Sequence, residues 1–188
     1  MDIARGLRHS NIAEYVLYIW QLEDLFRGLQ FSPEAIYSQF VASRHDLSPE
    51  DQMTVHGWYV ELTELLLSEG KRERGHLEHT HHIIADLGNL HLQLLKLPIG
   101  ARYRTLWSSF EEVLPDLRAV AGAQLNESLS DIELCFRALY GAMLYRLRGS
   151  DGRGAIEDTL AFVSPLIAEL ANVYHQVERG ETDLFKNE

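Results

Sequence analysis

Apolar residues recur every three or four positions along most of this chain, which is the spacing of one face of an α-helix. Between Ile12 and Phe26, for example, Val16, Ile19 and Leu22 follow this rule. The same pattern predicts helices over residues 12–28, 33–42, 49–69, 73–96 and 101–122, with two more beginning near Ser130 and Ile156. No stretch shows the alternation that is typical of a strand, so the pattern predicts an all-α protein.

Local start and stop signals agree with these helices. Asn11 followed by Glu14 is a capping-box pattern at the start of the first one. Ser32 and Ser48 each precede proline and glutamate, an order that places an N-cap, a first helical residue and an acid near the helix dipole. Pro115 lies within a helical pattern, where it should kink the helix or divide it.

The helical segments are sufficient for one domain. A chain of 188 residues can bury a sizeable core. We therefore expect a single-domain bundle of six or seven helices over residues 1–179, with mostly antiparallel neighbours. Residues 180–188 lie beyond the last helical pattern, and we expect them to form a disordered tail.

One segment, residues 73–96, holds five of the nine histidines. On a helical projection, His91 lies within the apolar stripe and His76 lies near its edge, whereas His79 and His82 fall on the polar side. The sequence therefore predicts that His76 and His91 are largely buried and that His79 and His82 are largely exposed.

Charge and cysteine content exclude several classes of protein. A formal net charge of −11 argues against nucleic-acid binding, which needs a clustered basic face. A single cysteine, Cys135, excludes an intramolecular disulfide framework and is typical of a reducing compartment. No apolar stretch reaches the length of a membrane span. We expect a cytoplasmic protein that binds neither nucleic acid nor membrane.

Several short blocks resemble a family of small bacterial proteins, known mainly from Bacteroidetes and classed as a domain of unknown function. The blocks are Asn11-Ile12-Ala13-Glu14-Tyr15, Trp20-Gln21, Glu23-Asp24, Glu69-Gly70, Gly75-His76-Leu77, Asp86-Leu87, Leu90-His91-Leu92, Leu94-Leu95, Cys135-Phe136 and Ala138-Leu139-Tyr140-Gly141. The resemblance covers nearly the whole chain. It implies an all-helical, cytoplasmic, single-domain protein and brings no activity with it. The family pattern is similar to this chain at His76 and His91, while the cluster His79, His81 and His82 departs from it.

The polar side of residues 73–96 offers a candidate metal site. His79, His82 and Asp86 are spaced so that neighbouring pairs share one helical face, and imidazole with carboxylate suits zinc or nickel. One helix rarely completes a coordination sphere, and exposed ligands stay hydrated. The competing interpretation is a solvated polar face, and we expect no bound cofactor.

A second candidate site is a buried polar cluster. Glu23 lies beside one apolar stripe, Glu69 lies near the end of another, and His76 and His91 belong to a third. Buried acids and imidazoles without partners each cost about 1–3 kcal/mol, so we expect these groups to satisfy one another. Such a cluster is either a structural hydrogen-bond network or the lining of a ligand or catalytic pocket.

The pattern as a whole favours a non-enzymatic interaction or structural protein. The alternative is a bundle, with or without enzymatic activity, that binds a small molecule or a metal through the Glu/His cluster. A concave pocket that reaches His76 or His91 would favour the alternative.

The helix predicted over residues 12–28 indicates whether the protein forms oligomers. It carries Leu17, Tyr18, Trp20 and Leu25 outside its main apolar stripe. Either the chain itself covers these residues, or a second subunit does, most simply across a two-fold axis. We expect a homo-oligomer, most simply a dimer.

Overall fold

The computed structural model describes residues 2–122, 129–147 and 153–184. Within them the chain is all-helical, which confirms the predicted fold class. The α-helices are α1 (Asp2–Ser10), α2 (Ile12–Gly28), α3 (Pro33–Phe40), α4 (Pro49–Ser68), α5 (Glu78–Leu94), α6 (Ala101–Glu111), α7 (Leu114–Gly122), α8 (Asp131–Leu147) and α9 (Arg153–Glu178), with a 3₁₀-helix at Pro98–Gly100 between α5 and α6. None of the helices in these ranges is long and apolar enough to cross a membrane.

The start signals act as the sequence predicts. The side-chain oxygen of Asn11 accepts hydrogen bonds from the backbone N–H groups of Ala13 and Glu14 at the start of α2. Ser32 and Ser48 each accept one from the backbone N–H three residues later. These serine and asparagine oxygens satisfy donors that have no partner within the helix.

The described residues contain nine α-helices, more than the six or seven expected. One addition is α1, which is short and in which Ala4 is the one buried residue among positions 3–10, so it carries little apolar signal. Pro115 accounts for another, because α6 ends at Glu111 and α7 begins at Leu114.

The start predicted for the histidine helix was wrong. α5 begins at Glu78, five residues later than position 73, and Leu77 occupies its N-cap position. Gly75 adopts a φ of 88°, a left-handed conformation that a helix cannot contain and that favours glycine. His76 therefore lies in the loop before α5 rather than on the helix.

Two apolar clusters share α2. The main core is formed by one side of α2 with α5, α6, α8 and α9, and the second core by the other side of α2 with α3, α4 and Leu77. Trp20 belongs to the main core, whereas Ile19 and Phe26 belong to the second. α2 thus packs against α1, α4, α5, α8 and α9.

This central position covers most of the apolar surface of α2 with the chain's own helices. Trp20 is fully buried and Tyr18 packs against the second core, while Leu25 stays exposed. The apolar sides of α2 therefore give no reason of their own to invoke a second subunit, and the dimer stays a prediction.

The tail predicted to be disordered lies partly outside the described residues, which end at residue 184. In the described part, Leu184 packs against the main core and the hydroxyl of Thr182 lies 3.3 Å from Oε1 of Gln176. Disorder stays a prediction for residues 185–188.

Candidate functional site

The loop between α4 and α5 is held onto α2 by an arginine. The guanidinium of Arg27 donates to the backbone carbonyl of Lys71 from Nε and Nη2, over 3.2 and 3.0 Å, and Nη2 also donates to the carbonyl of Gly75. A guanidinium in its planar fork can bind two carbonyls at once. Arg27 therefore fixes the path of the loop that carries His76.

Glu23 is the central group of the site, and its side chain is 0% exposed. Its Oε1 accepts a hydrogen bond of 3.0 Å from the backbone N–H of Leu77, and its Oε2 lies 2.6 Å from Nδ1 of His76. A carboxylate only accepts, so the proton of this imidazole is on Nδ1. The same carboxylate lies at the N-terminus of α5, where a negative charge is stabilised by the helix dipole.

The His76 ring stacks on the indole of Trp20. The ring centroids are 3.9 Å apart and the planes differ by 12°. Nε1 of Trp20 donates to Oγ1 of Thr80 over 3.0 Å, and that hydroxyl donates to the carbonyl of Leu77 over 2.7 Å. These contacts lock the imidazole between a buried acid and a buried aromatic ring.

Tyr140 closes the site from α8. Its hydroxyl lies 2.6 Å from Oδ2 of Asp24 and 3.0 Å from the carbonyl of Trp20, and its ring meets the His76 ring edge-on at 6.1 Å. Burial, together with the hydrogen bond to Asp24, raises the pKa of Tyr140. Asp24 is paired through its other oxygen with Arg27 at 2.8 Å. The tyrosine is thus a neutral donor that ties α8 to α2.

The other edge of His76 reaches solvent. Its side chain is 15% exposed, and Nε2 has no hydrogen-bond partner in the part of the chain that the structure describes. In the described residues every buried side-chain nitrogen or oxygen has a hydrogen-bond partner. Nε2 of His76 has none, so this atom is not buried and is accessible to water. With the proton held on Nδ1 by Glu23, Nε2 presents a lone pair, which can accept a hydrogen bond or bind a ligand. The half-buried His81 lies beside it with ring centroids 6.3 Å apart, and burial lowers the pKa of His81.

Glu69 acts at the same helix end as Glu23. Its Oε2 accepts a hydrogen bond of 2.8 Å from the backbone N–H of Glu78, the first residue of α5. Two carboxylates from outside the helix, Glu23 and Glu69, therefore satisfy the backbone N–H groups of Leu77 and Glu78 at its start, where Leu77 has no side-chain oxygen to act as a cap.

His91 is buried, as the sequence predicts, but it has other partners. Its Nδ1 lies 2.7 Å from the hydroxyl of Tyr103, and its ring centroid is 4.3 Å from that of Trp107. Burial lowers the pKa of His91. The structure thus brings together Glu23 and His76, with Glu69 at the same helix end, and places His91 among residues of α6.

The candidate metal ligands do not share one environment. His82 and Asp86 are exposed, as predicted for His82. His79 was expected to be exposed but is half-buried, because its Nε2 lies 3.3 Å from the hydroxyl of Tyr15 on α2. Burial lowers its pKa. Among the described residues no group of three histidine, cysteine or acidic side chains could hold a metal ion.

A shallow groove of about 380 Å³ lies elsewhere, between α2, α8 and α9. It is mainly apolar and includes neither His76 nor His91. Its lining comprises Leu17, Leu139, Ala142, Met143, Arg146, Leu147, Leu160 and Ser164.

Sequence reasoning did not single out Arg27, Thr80 or the hydroxyl of Tyr140 as parts of the site. A general signal was present, since a buried tryptophan or tyrosine needs a partner for its polar atom. The pattern alone does not say which residue supplies that partner.

The chain belongs to the family described as a domain of unknown function (DUF4924), which matches residues 1–181. Four of the blocks that resemble this family, those containing Trp20, Glu23, His76 and Tyr140, meet at the site described above. Searches of curated proteins and of solved structures found no match.

Proposed function

We propose that this protein is a non-enzymatic helical bundle of the bacterial cytoplasm, with mostly antiparallel neighbouring helices, that acts through contacts with other protein chains. The cytoplasmic assignment is supported by the single cysteine, Cys135, which is buried and free. No cofactor is required for this role.

The observation that carries the proposal is what the charged side chains around the start of α5 bind. Both oxygens of Glu23 bind groups at the start of α5, Glu69 caps the same helix, and Arg27 binds two carbonyls of the preceding loop. Apart from the bond between Glu23 and the His76 imidazole, each of these contacts positions backbone. A buried carboxylate and two partly exposed charged side chains that are satisfied in this way stabilise one conformation of a loop and a helix end, and they do not need a substrate to explain them.

The form of the surface supports the same conclusion. The groove between α2, α8 and α9 does not include the Glu23–His76 pair, and its lining is mainly leucine, alanine and methionine. A concave apolar surface of this kind is suited to an apolar segment of a partner protein.

One observation favours a second candidate function, the binding of a small molecule or a metal at His76. Nδ1 of His76 donates to a buried carboxylate while Nε2 faces water. This is how many ligand-binding and metal-binding histidines are oriented. The binding of a small molecule or a metal needs Nε2 of His76, whereas contact with other protein chains does not.

Two substitutions separate the roles of the two ring nitrogens. Asparagine carries its side-chain nitrogen two bonds from Cβ, where histidine has Nδ1, so His76→Asn keeps a donor for Glu23 and removes Nε2. His76→Ala removes both. We expect His76→Asn to retain most of the stability to urea that His76→Ala loses, and to sediment with the same mass as the wild type.

The same pair of variants decides between the two functions in a thermal-shift screen of cellular metabolites and divalent metals. We expect no compound to stabilise the wild type without equally stabilising His76→Asn. A compound that raises the melting temperature of the wild type alone would overturn the proposal and establish the ligand-binding function.

A further inference from the structure

The outward face of α4 carries both acidic and apolar side chains. α4 contains no lysine or arginine along its 20 residues. On the side opposite its buried residues it exposes Met53 (63%) and, about three turns further along, Leu65 (41%) with the exposed carboxylates of Glu61 and Glu64. Within the described ranges neither glutamate forms an ion pair, and two like charges three positions apart repel each other. A cation outside this helix would relieve that repulsion.

The groove has the opposite character. Its apolar lining includes Leu147, which is 67% exposed, and it contains one charged side chain, Arg146. Arg146 forms no ion pair with any residue that the structure describes. Of the neighbouring arginines, Arg137 on the same helix is paired with Glu133, so Arg146 is the cation that the described lining of the groove offers to a partner. The charge of Arg146 is opposite in sign to that of the glutamates on the face of α4.

We propose that the groove between α2, α8 and α9 receives the outward face of α4 from a second copy of this chain. Apolar side chains such as Met53 would enter the groove, and Glu61 and Glu64 would lie near Arg146. A helix packed into an apolar groove with a matching charge at its rim is a common mode of protein recognition. The inference rests on the proposed function and names its partner.

The fold requires the two surfaces to meet between copies. α4 packs against α3 and α2 beside the second core, whereas the groove lies over α8 and α9 beside the main core. Each copy of the chain therefore carries one α4 face and one groove, and these lie on different parts of the molecule. A two-fold dimer in which each α4 enters the partner's groove uses both surfaces and closes the assembly.

Charge reversal tests this contact with the full-length chain in sedimentation equilibrium. Arg146→Glu makes the groove acidic, and Glu61→Lys with Glu64→Lys makes the face of α4 basic. A dimer formed by either variant alone has like charges on the groove and on the α4 face in both of its contacts. We therefore expect the self-association of each variant to weaken by about tenfold or more. Mixed in equal amounts, the two variants pair opposite charges in both contacts, and we expect association near that of the wild type.

Matched controls carry the same charge changes elsewhere on exposed surface. Arg5→Glu on α1 corresponds to the groove variant, and Glu111→Lys with Glu112→Lys corresponds to the α4 variant. We expect both controls to associate like the wild type.

Three results would overturn the inference: a wild type that stays monomeric at micromolar concentration, a groove variant that associates normally, or a mixture that fails to recover association. None of these substitutions touches His76, so failure here leaves the proposed function to be judged by the ligand screen.

Discussion

Nε2 of His175, near the end of α9, accepts a hydrogen bond of 2.9 Å from the backbone N–H of Ile12, the first residue of α2. The two residues are 163 positions apart in the chain. Because Nε2 accepts, the proton of this buried imidazole lies on Nδ1, where Oε2 of Glu178 is 3.2 Å away. One histidine thus satisfies a free donor at the start of the central helix and joins the two ends of the chain.

Replacing His175 should therefore destabilise the protein. His175→Ala leaves a buried N–H without an acceptor, and we expect a loss of about 1–3 kcal/mol in the free energy of unfolding, with a further loss from the cavity. His175→Gln keeps an oxygen that can reach Ile12, and we expect it to lose less. Urea denaturation of both variants measures the difference. Equal losses would mean that packing, and not the hydrogen bond, is what His175 contributes.

Glu23 offers a second test, because two groups depend on it. Glu23→Ala leaves Leu77 N–H and His76 without their acceptor, and we expect a loss of about 1–3 kcal/mol for each of them. Glu23→Gln keeps one acceptor oxygen and should lose less. Exposed Glu112→Gln, a matched loss of charge, should change the stability by less than about 0.5 kcal/mol in the same denaturation experiment. A Glu23→Ala protein as stable as this control would contradict the role given to the carboxylate.

The sequence predicts which residues are buried more reliably than it predicts which buried residues form hydrogen bonds with each other. Asn11, Ser32 and Ser48 are local signals, acting within three residues, and all three cap the helices that they predict. Burial of His91 follows from its place in an apolar stripe. Helical projection treats one segment at a time, so it depends on that segment being helical throughout.

The segment 73–96 is not helical throughout, because the residues around His76 form a loop. Arg27 and Glu23 come from a helix about 50 positions earlier in the chain, and their contacts with the loop carbonyls and with Leu77 replace helical hydrogen bonds. The pairing of Glu23 with His76, and of His91 with Tyr103, depends on how α2, α5 and α6 pack. No local pattern contains that information.

The buried histidines make stability depend on pH. Burial lowers the pKa of His91 below the ordinary histidine value of about 6.5, and it also lowers the pKa of His79. The unfolded chain therefore takes up protons at these sites at a higher pH than the folded chain does. The free energy of unfolding should fall as the pH drops through about 6.5 and continue to fall until the folded-state pKa values are passed.

Denaturation at a series of pH values checks this dependence. His91→Asn keeps a polar atom near Tyr103 but cannot titrate, so we expect it to be less stable at neutral pH and to show a shallower decline below about pH 6.5. A decline as steep as that of the wild type would show that His91 does not contribute to it.

Metal removal should leave the fold unchanged. The main and second cores contain most of the large apolar side chains of the described residues, and Nε2 of His79 lies 3.3 Å from the hydroxyl of Tyr15. A protein with a core of this size does not depend on a metal to fold. Thermal melts with and without a chelator should coincide, and a drop of many degrees with chelator would show that a metal is part of the folded state.

The turn between α5 and α6 should be intolerant of a single added methyl group at Gly100. A Cβ at this position would lie 1.8 Å from the carbonyl oxygen of Leu94 and 2.6 Å from its carbonyl carbon. These are backbone atoms, and Arg104 holds the same turn by donating to the carbonyls of Leu94 and Leu97. Since φ at Gly100 is −78°, the obstacle is close approach and not backbone conformation.

Gly100→Ala should therefore reduce the free energy of unfolding by about 1–3 kcal/mol or more, because the turn must shift to admit the methyl group. Gly88→Ala is the matched control: it adds the same group within α5, where a Cβ would have no neighbour within 4 Å. There alanine favours the helix, and we expect a gain of about 0.5–1 kcal/mol. Urea denaturation of the two variants should thus show changes of opposite sign. A Gly100→Ala protein as stable as the wild type would mean that the turn can relax without cost and that Arg104 does not hold it in place.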